Sequence, residues 1–370
     1  MRISFKTELK LNNQQRTQLA KHAGVARHAW NWGLDLCQKI LAHNRENPQE
    51  KLKFPTAIDL HKLLVSWVKS EYEWYYEVSK TSPQYALRHL SAAFSDFFRK
   101  KKIKGKTVGF PQFKKKGKND SFTLEGTIKI NSTSLQLPKL GILKTYERLP
   151  TGFSPKTAVI SRTANRWFVA FSYEIEPSAT AKVSAVVGVD LGIKTLATLS
   201  NGETFPNPQA YRTAERRLKR LQRAASRKVK GSNNRHKANL KLAKQQARVA
   251  NIRQDTLNKL TTYLAKNHSQ IVIEDLNVSG MLANPKLAKS IADLGLYEFR
   301  RQLTYKCELY GSKIIIVDRF FPSSKTCSCC GHIQDMPLKE RVFNCGNCGV
   351  SIDRDLNASL NLEKQALVVA

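Results

Sequence analysis

Polar and apolar positions alternate from Met1 to Leu11, with Ile3, Phe5, Thr7 and Leu9 on one side, which is the period of a β-strand. From Asn12 the period lengthens. Leu19, Ala23, Ala26, Trp30, Leu34, Cys37 and Leu41 recur every three or four residues, one apolar stripe of a long helix that Asn12 and Asn13 can cap. Cys37 lies on that stripe and is expected in a core. The helical period continues from Pro55 to Trp67. Ser82-Pro83 reads as an N-cap followed by proline in the first turn, leading into Leu87, Leu90, Phe94 and Phe97. Residues 12 to 102 therefore read as a helical subdomain. Residues 121 to 176 return to short alternating runs, SFTLEGTIKI, TAVISRT and RWFVAFSYEIE, broken by Pro, Gly and Asn, as in an antiparallel sheet or small barrel. The opening strand has no neighbour of its own kind before this block. The helices are thus expected to be an insertion into one β-barrel domain, with the first strand pairing back to it.

From Ala181 the pattern becomes mixed α/β. SAVVGVDLGIKT is nearly all apolar as far as Asp190, and TLATLS is its expected hairpin partner. Tyr211 to Arg253 is a long basic helical region, and SQIVIEDL a second buried strand ending in Glu274. Ala288 to Tyr310 is another helix, KIIIVD a third buried strand, and Asp355 to Lys364 a last helix. That order of strands and helices is the order of a ribonuclease H-like fold. The segment between its last strand and last helix holds five of the chain's seven cysteines. Cys327/Cys330 and Cys345/Cys348 read CSCCG and CGNCG with fourteen residues between them, the spacing of a zinc ribbon. A closed four-thiolate site is structural, so this zinc is expected to take no part in a reaction. Cys329 sits inside the first pair at a non-ligand position, and Cys307 reads as a packing residue.

The acids gain meaning from this topology. Taken singly, Asp190 also reads as a turn residue, Glu274 as the polar end of a strand and Asp355 as a helix N-cap. Together they fall at two strand ends and a helix mouth that share one end of the expected sheet. Three carboxylates in one cleft repel unless divalent cations lie between them, and two cations about 3.5–4 Å apart clamp the attacking and leaving oxygens of phosphodiester cleavage. Oxygen ligands select magnesium or manganese over zinc.

Composition indicates the partner. The chain has 62 Lys and Arg against 29 Asp and Glu, a formal charge of +33. Such a surface repels itself until a polyanion neutralises it, which favours nucleic acid. Arg212 to Arg253 alone carries fifteen Lys and Arg, bounded by the acids Glu215 and Asp255. Leu218, Leu221, Leu240, Val249 and Ile252 give that region an apolar seam, so it reads as a helix tracking a nucleic-acid backbone. The segment KKKIKGKTVGFPQFKKKGKND sets Phe110 and Phe113 among cations, a pattern suited to backbone contact and base stacking. No apolar stretch approaches the roughly 20 residues of a spanning helix. Clustered cysteines without a leader fit metal ligation in a reducing cytoplasm, so a cytoplasmic protein without membrane partners is expected, associated with the nucleoid when on DNA.

Several stretches closely resemble one family. GVDLGIKTLATLS, IVIEDLNVSGM, KLAKSIADLGLYEFRRQLTYKCELYGSKIIIVDRFFPSSKTCSCCG and CGNCGVSIDRDLNASLNL are similar to TnpB, the RNA-guided nuclease of small insertion sequences and relative of type V CRISPR nucleases. The resemblance runs from Met1 to about Lys364 and is most specific in the C-terminal half. It implies an α+β multidomain protein: a wedge-like β-barrel (1–11 and 118–180), a helical recognition domain (12–117), a split RuvC nuclease domain (181–324 and 351–370) and a zinc ribbon (325–350). It implies Asp190, Glu274 and Asp355 as the catalytic, magnesium-binding triad. Asp353 is the neighbouring alternative to the third acid in DRD. Cys327, Cys330, Cys345 and Cys348 would hold zinc. It also implies that an omega RNA pairs with double-stranded target DNA beside a short transposon-adjacent motif, one protein acting on one RNA. Lys80 and Gln84, a helical turn apart where the third helix begins, read as DNA base readers. The rival readings are a guide-directed repressor with a dead nuclease, a DDE-type transposase without a guide, and a non-enzymatic zinc-ribbon protein. Retention of all three acids opposes the first, the ribbon ahead of the last acid opposes the second, and the third leaves the acids unexplained.

Overall fold

The computed structural model describes residues 1–101, 103, 109–337 and 339–366. Part of the Lys/Gly-rich segment and the last four residues of the expected nuclease segment, 367–370, lie outside them. The chain divides into two compact units, Arg2–Ile175 and Glu176–Ala370 with Met1.

In the first unit β1 (Arg2–Lys10) leads into α1 (Asn13–Glu46) through a capping box, in which Asn12 and Gln15 each accept the other's backbone N–H. A second capping box, Thr56 with Asp59, starts α2 (Ala57–Leu63). The helix expected to reach Trp67 as one piece instead passes into a π-helical turn at Leu64–Val68. α3 (Thr81–Lys101) begins before the expected Ser82 cap: Ser82 is buried within the first turn, and the hydroxyl of Ser79 receives the Thr81 N–H at 3.4 Å. A Cβ at Gly33 of α1 would meet Leu87 at 2.8 Å and Leu90 at 3.0 Å, so glycine lets α1 and α3 approach closely.

The strands β2 (Ser121–Glu125), β3 (Lys129–Asn131), β4 (Ser134–Leu137), β5 (Gly141–Thr145), β6 (Thr157–Thr163) and β7 (Arg166–Glu174) join β1 in an antiparallel sheet of order β2-β6-β7-β1-β5-β4-β3. β1 is central: Phe5 stands opposite Phe171, and Leu9 opposite Thr145. Ala164 and Asn165, both at positive φ, form the tight β6–β7 turn. One core contains Leu19, Leu34 and Cys37 from α1, Leu87 from α3, and Ile160 and Val169 from the sheet. Cys37 is fully buried.

In the second unit β8 (Ser184–Asp190), β9 (Thr195–Leu199), β10 (Thr204–Pro206), β11 (His268–Glu274) and β12 (Lys313–Val317) make a sheet of order β10-β9-β8-β11-β12. β8, β11 and β12 run parallel, and β9 folds back on β8 as a hairpin. Helices α4 (Ala210–Ser226) and α5 (Asn233–Asn267) replace the single basic region; Gly231 at φ 86° turns the chain and the Ser232 side chain caps α5. α6 (Val278–Ala283) follows β11. The expected helix 288–310 is likewise two, α7 (Ala288–Leu294) and α8 (Leu296–Tyr310), broken at Gly295 with φ 73°. After β12 come the ribbon strands β13 (Val342–Asn344) and β14 (Ser351–Asp353), then α9 (Arg354–Lys364).

Successive residues of β11 serve opposite faces. Ile271 and Ile273 pack with Leu260 and Leu264 of α5 and Leu303 of α8, whereas Val272 packs with Ile315 and with Leu362 of α9. Helices on both faces are what a parallel sheet requires, and why these strands read as unbroken apolar runs. Among the described residues no helix is long and apolar enough to cross a membrane.

Candidate active site and metal centre

Parallel pairing places Ile273 beside Val189, so Asp190 and Glu274 leave the sheet at the same ends of adjacent strands. Carboxyl ends of parallel strands are where open α/β sheets bind ligands. The third acid arrives on α9, which lies against β8 through a glycine contact. A Cβ at Gly188 would stand 1.9 Å from the Ser359 carbonyl oxygen and 2.6 Å from the Glu363 nitrogen. Any other residue there would push the helix away. A Cβ at Gly192 would lie 4.0 Å from Asp355 Oδ2, which brings Asp355 to the turn just after Asp190.

Electrostatics agree with this grouping. The Asp190 carboxyl is pushed up to about 8, first by loss of water around it and then by the charges of Glu274 and Asp355; Arg354 offsets part of this. Asp353 adds least of the named acids. Its carboxylate is engaged elsewhere, accepting the N–H groups of Asp355 at 2.9 Å and Leu356 at 3.0 Å as the N-cap of α9. So Asp353 performs the capping role considered for Asp355, and Asp355 occupies the first turn behind it. Uncompensated charge of this kind suits a divalent cation. Among the described residues these carboxylates do not converge as tightly as the cysteines do.

The surroundings of the acids include residues that sequence reading missed. Ser323, buried, donates its hydroxyl to Glu274. Asn357 and Asn361, one turn apart on α9 and both buried, clamp the segment entering the ribbon. Asn357 accepts the Ser328 N–H at 2.8 Å and donates to the Thr326 carbonyl at 2.7 Å; Asn361 donates to the carbonyls of Ser323 at 2.8 Å and Thr326 at 2.6 Å. The spacing of the two asparagines in LNASLNL was the available signal.

The thiols of Cys327, Cys330, Cys345 and Cys348 all lie within 4.8 Å of one another. Two of the sulfur pairs, Cys327–Cys348 and Cys330–Cys345, are 3.6 Å apart. Tetrahedral zinc with ~2.3 Å bonds places sulfurs ~3.8 Å apart, so the set fits structural zinc. The Cys330 thiol is pulled down to about 6, chiefly by the His332 N–H. Each pair ends in glycine for a conformational reason: Gly331 and Gly349 sit at φ 77° and 72°, and their N–H groups close the knuckles onto the Cys327 and Cys345 carbonyls at 3.0 Å. Cys329 is exposed and outside the cluster. Cys307 is buried, its thiol raised to about 11 by that burial.

Other expected positions divide. Lys80 is exposed and lines a cavity of about 600 Å³ with Lys69, Tyr76, Glu125 and Lys139, whereas Gln84 is half-buried and does not line it. Arg216, Arg220 and Arg223 of α4 and Arg227 at its C-cap line one cavity. Of the expected seam, Leu218 and Val249 are buried but Ile252 is 37% exposed. Phe110 is unsuited to base stacking, because it packs against Phe94 at 5.4 Å and Phe97 at 5.2 Å. Phe113 remains exposed.

Residues 170–284 match the sequence family described as probable transposase, 297–362 that described as Cas12f1-like, TNB domain, and 1–46 a helix-turn-helix domain. A Streptomyces pristinaespiralis protein bearing the name of an RNA-guided DNA endonuclease is 36% identical, over 97% of this chain and 88% of its own length. The Escherichia coli K12 protein similarly named, InsQ, is 33% identical over 97% and 91%. In fold, the chain is similar to the solved structure of the mini-RNA-guided endonuclease CRISPR-Cas_phi3, with TM-score 0.51 at 11% identity over 99% and 92% of the two chains.

Proposed function

We propose, because this chain belongs to the TnpB family of RNA-guided DNA endonucleases, that it cleaves double-stranded DNA at a site chosen by a bound RNA. In this reading the five-stranded sheet is the core of a RuvC-type nuclease, and the seven-stranded sheet is the wedge-like barrel. Asp190, Glu274 and Asp355 hold magnesium, and Cys327, Cys330, Cys345 and Cys348 hold zinc. The carrying observation is geometric: Asp190 and Glu274 end adjacent parallel strands, and Asp355 comes to the turn just after Asp190. Two bound cations would supply activation of a water and stabilisation of the leaving oxygen.

The chain's own residues provide the frame. Gly188 admits α9 against β8, the Asp353 cap fixes the first turn on which Asp355 stands, and Ser323 orients the Glu274 carboxylate. The arginines of α4 bind the backbone of the RNA–DNA duplex, and Lys80 lines a cavity that receives the bases of the adjacent motif. A single chain acts on one omega RNA, next to a short transposon-adjacent motif beside the target.

The direct test co-purifies the chain with RNA, sequences that RNA, and assays a plasmid carrying the matching target with and without magnesium. Cleavage is expected only with the metal, and Asp190→Ala should abolish it while RNA stays bound. Absence of bound RNA, or undiminished cutting by Asp190→Ala, would overturn the reading.

A further inference from the structure

Phe320, in the turn after β12, is 85% exposed, more than any other large apolar side chain among the described residues. Its neighbour Phe321 does the opposite and packs on the core of Val272, Ile315 and Leu362. Folding therefore does not require the Phe320 ring, which remains in water although burial of such a side chain is favourable.

The turn that displays it is firmly built. Asp318 accepts the Phe320 N–H on its carboxylate at 2.8 Å and the Phe321 N–H on its carbonyl at 3.1 Å, and the Ser323 N–H reaches the Phe321 carbonyl at 2.9 Å. Both ends of the turn are tied to the end of β11. Arg319 is ion-paired with Asp275, the residue after Glu274, and Ser323 donates to Glu274 itself. Asp275 also holds Arg300 at 2.7 Å, and its N–H bonds the Val317 carbonyl at 2.9 Å. Both arginine side chains remain nearly half exposed. An aromatic face and two cations are thereby fixed beside one of the three acids.

We infer that Phe320 is a stacking platform for an unpaired nucleobase of the DNA strand being cut, with Arg319 and Arg300 meeting the neighbouring phosphates. A base has a flat face to stack and a phosphate on either side, which suits an exposed ring displayed on the same turn as a cation. Holding that base sets which phosphodiester reaches Glu274, so Phe320 acts as a positioning residue. This rests on the reading of Asp190, Glu274 and Asp355 as the cutting site.

The test uses the full chain with its co-purified RNA and a matching DNA target in which 2-aminopurine replaces one base at a time around the cut. Calcium replaces magnesium for the fluorescence measurement. One or two positions beside the cut should be quenched, Phe320→Ala and Phe320→Leu should lose that quenching, and Phe320→Trp should keep it. With magnesium, Phe320→Ala should slow cleavage roughly 5- to 100-fold and spread the cut positions, with RNA retention and thermal unfolding unchanged. Persistent quenching in Phe320→Ala, or an unaltered rate and cut position, overturns the inference. Asp190→Ala separates the two ideas: it should abolish cutting and keep the quenching, whereas continued cutting refutes the assigned acids irrespective of Phe320.

Discussion

The Asp190 carboxyl stands near 8 because water is withdrawn from it and because Glu274 and Asp355 face the same space. An acid whose pKa is raised on folding binds its proton more tightly in the folded chain, so its ionisation weakens folding as pH rises from the ordinary carboxylate range toward 8. In the metal-free protein, Asp190→Asn should therefore melt with the wild type near pH 4 and above it at pH 8, by roughly 2–4 °C per kcal/mol relieved. Calorimetry across pH decides this; equal melting points at pH 8 would show that the charge is not frustrated. Magnesium should raise the melting point of the wild type far more than that of the variant. The DRD pair invites a second comparison at this scale. Asp353→Asn keeps a competent cap and should retain both stability and cleavage, whereas Asp355→Asn should retain stability and lose cleavage. Loss of cleavage in Asp353→Asn alone would reverse the roles. The sequence showed two acids two residues apart. It could not show which one's oxygens were already taken by backbone N–H groups, because that depends on the angle at which the chain enters α9.

The elements whose boundaries were legible are those driven by a single periodic signal. β8, β11 and β12 are apolar runs with an acid at or just past the end, and α1 follows its stripe from the Asn12 cap. Breaks set by one residue's backbone were not legible, as at Gly295, where a left-handed glycine divides a continuous helical pattern into α7 and α8. Nor were bonds between distant segments. The grip of Asn357 and Asn361 on residues 323–328 joins parts of the chain about thirty residues apart, and the spacing of the two asparagines signals a shared helix face without naming its partner. Asn357→Ala removes that grip at Ser328 and should cost about 1 kcal/mol, since a partly buried N–H loses its partner. Hydrogen exchange should accelerate at residues 323–328 in particular. Uniform exchange across the second unit, or none, would deny the clamp.

For the molecule as a whole, a charge of +33 makes affinity for nucleic acid strongly dependent on salt. Replacing Arg216, Arg220 and Arg223 together by Gln should flatten the slope of log affinity against log salt by roughly 0.7–0.9 for each phosphate no longer neutralised. Filter binding of the co-purified RNA and its DNA target across salt measures it, and an unchanged slope would place those arginines away from the backbone. Composition alone made a polyanionic partner legible. It did not reveal that the fifteen basic residues from Arg212 to Arg253 fall on two helices and the turn between them, because Gly231 and Ser232 act only through the turn they form.

The insertion of the ribbon between β12 and α9 bears on how the protein is made. A chain leaving the ribosome presents Asp190 and Glu274 first, then the cysteines, and Asp355 only after them. No product of interrupted synthesis that stops before the ribbon can contain all three acids. The order of the segments thus delays the complete acidic cluster until the four-cysteine knuckles have already been translated, and on the proposed reading a chain cut short there lacks its third acid.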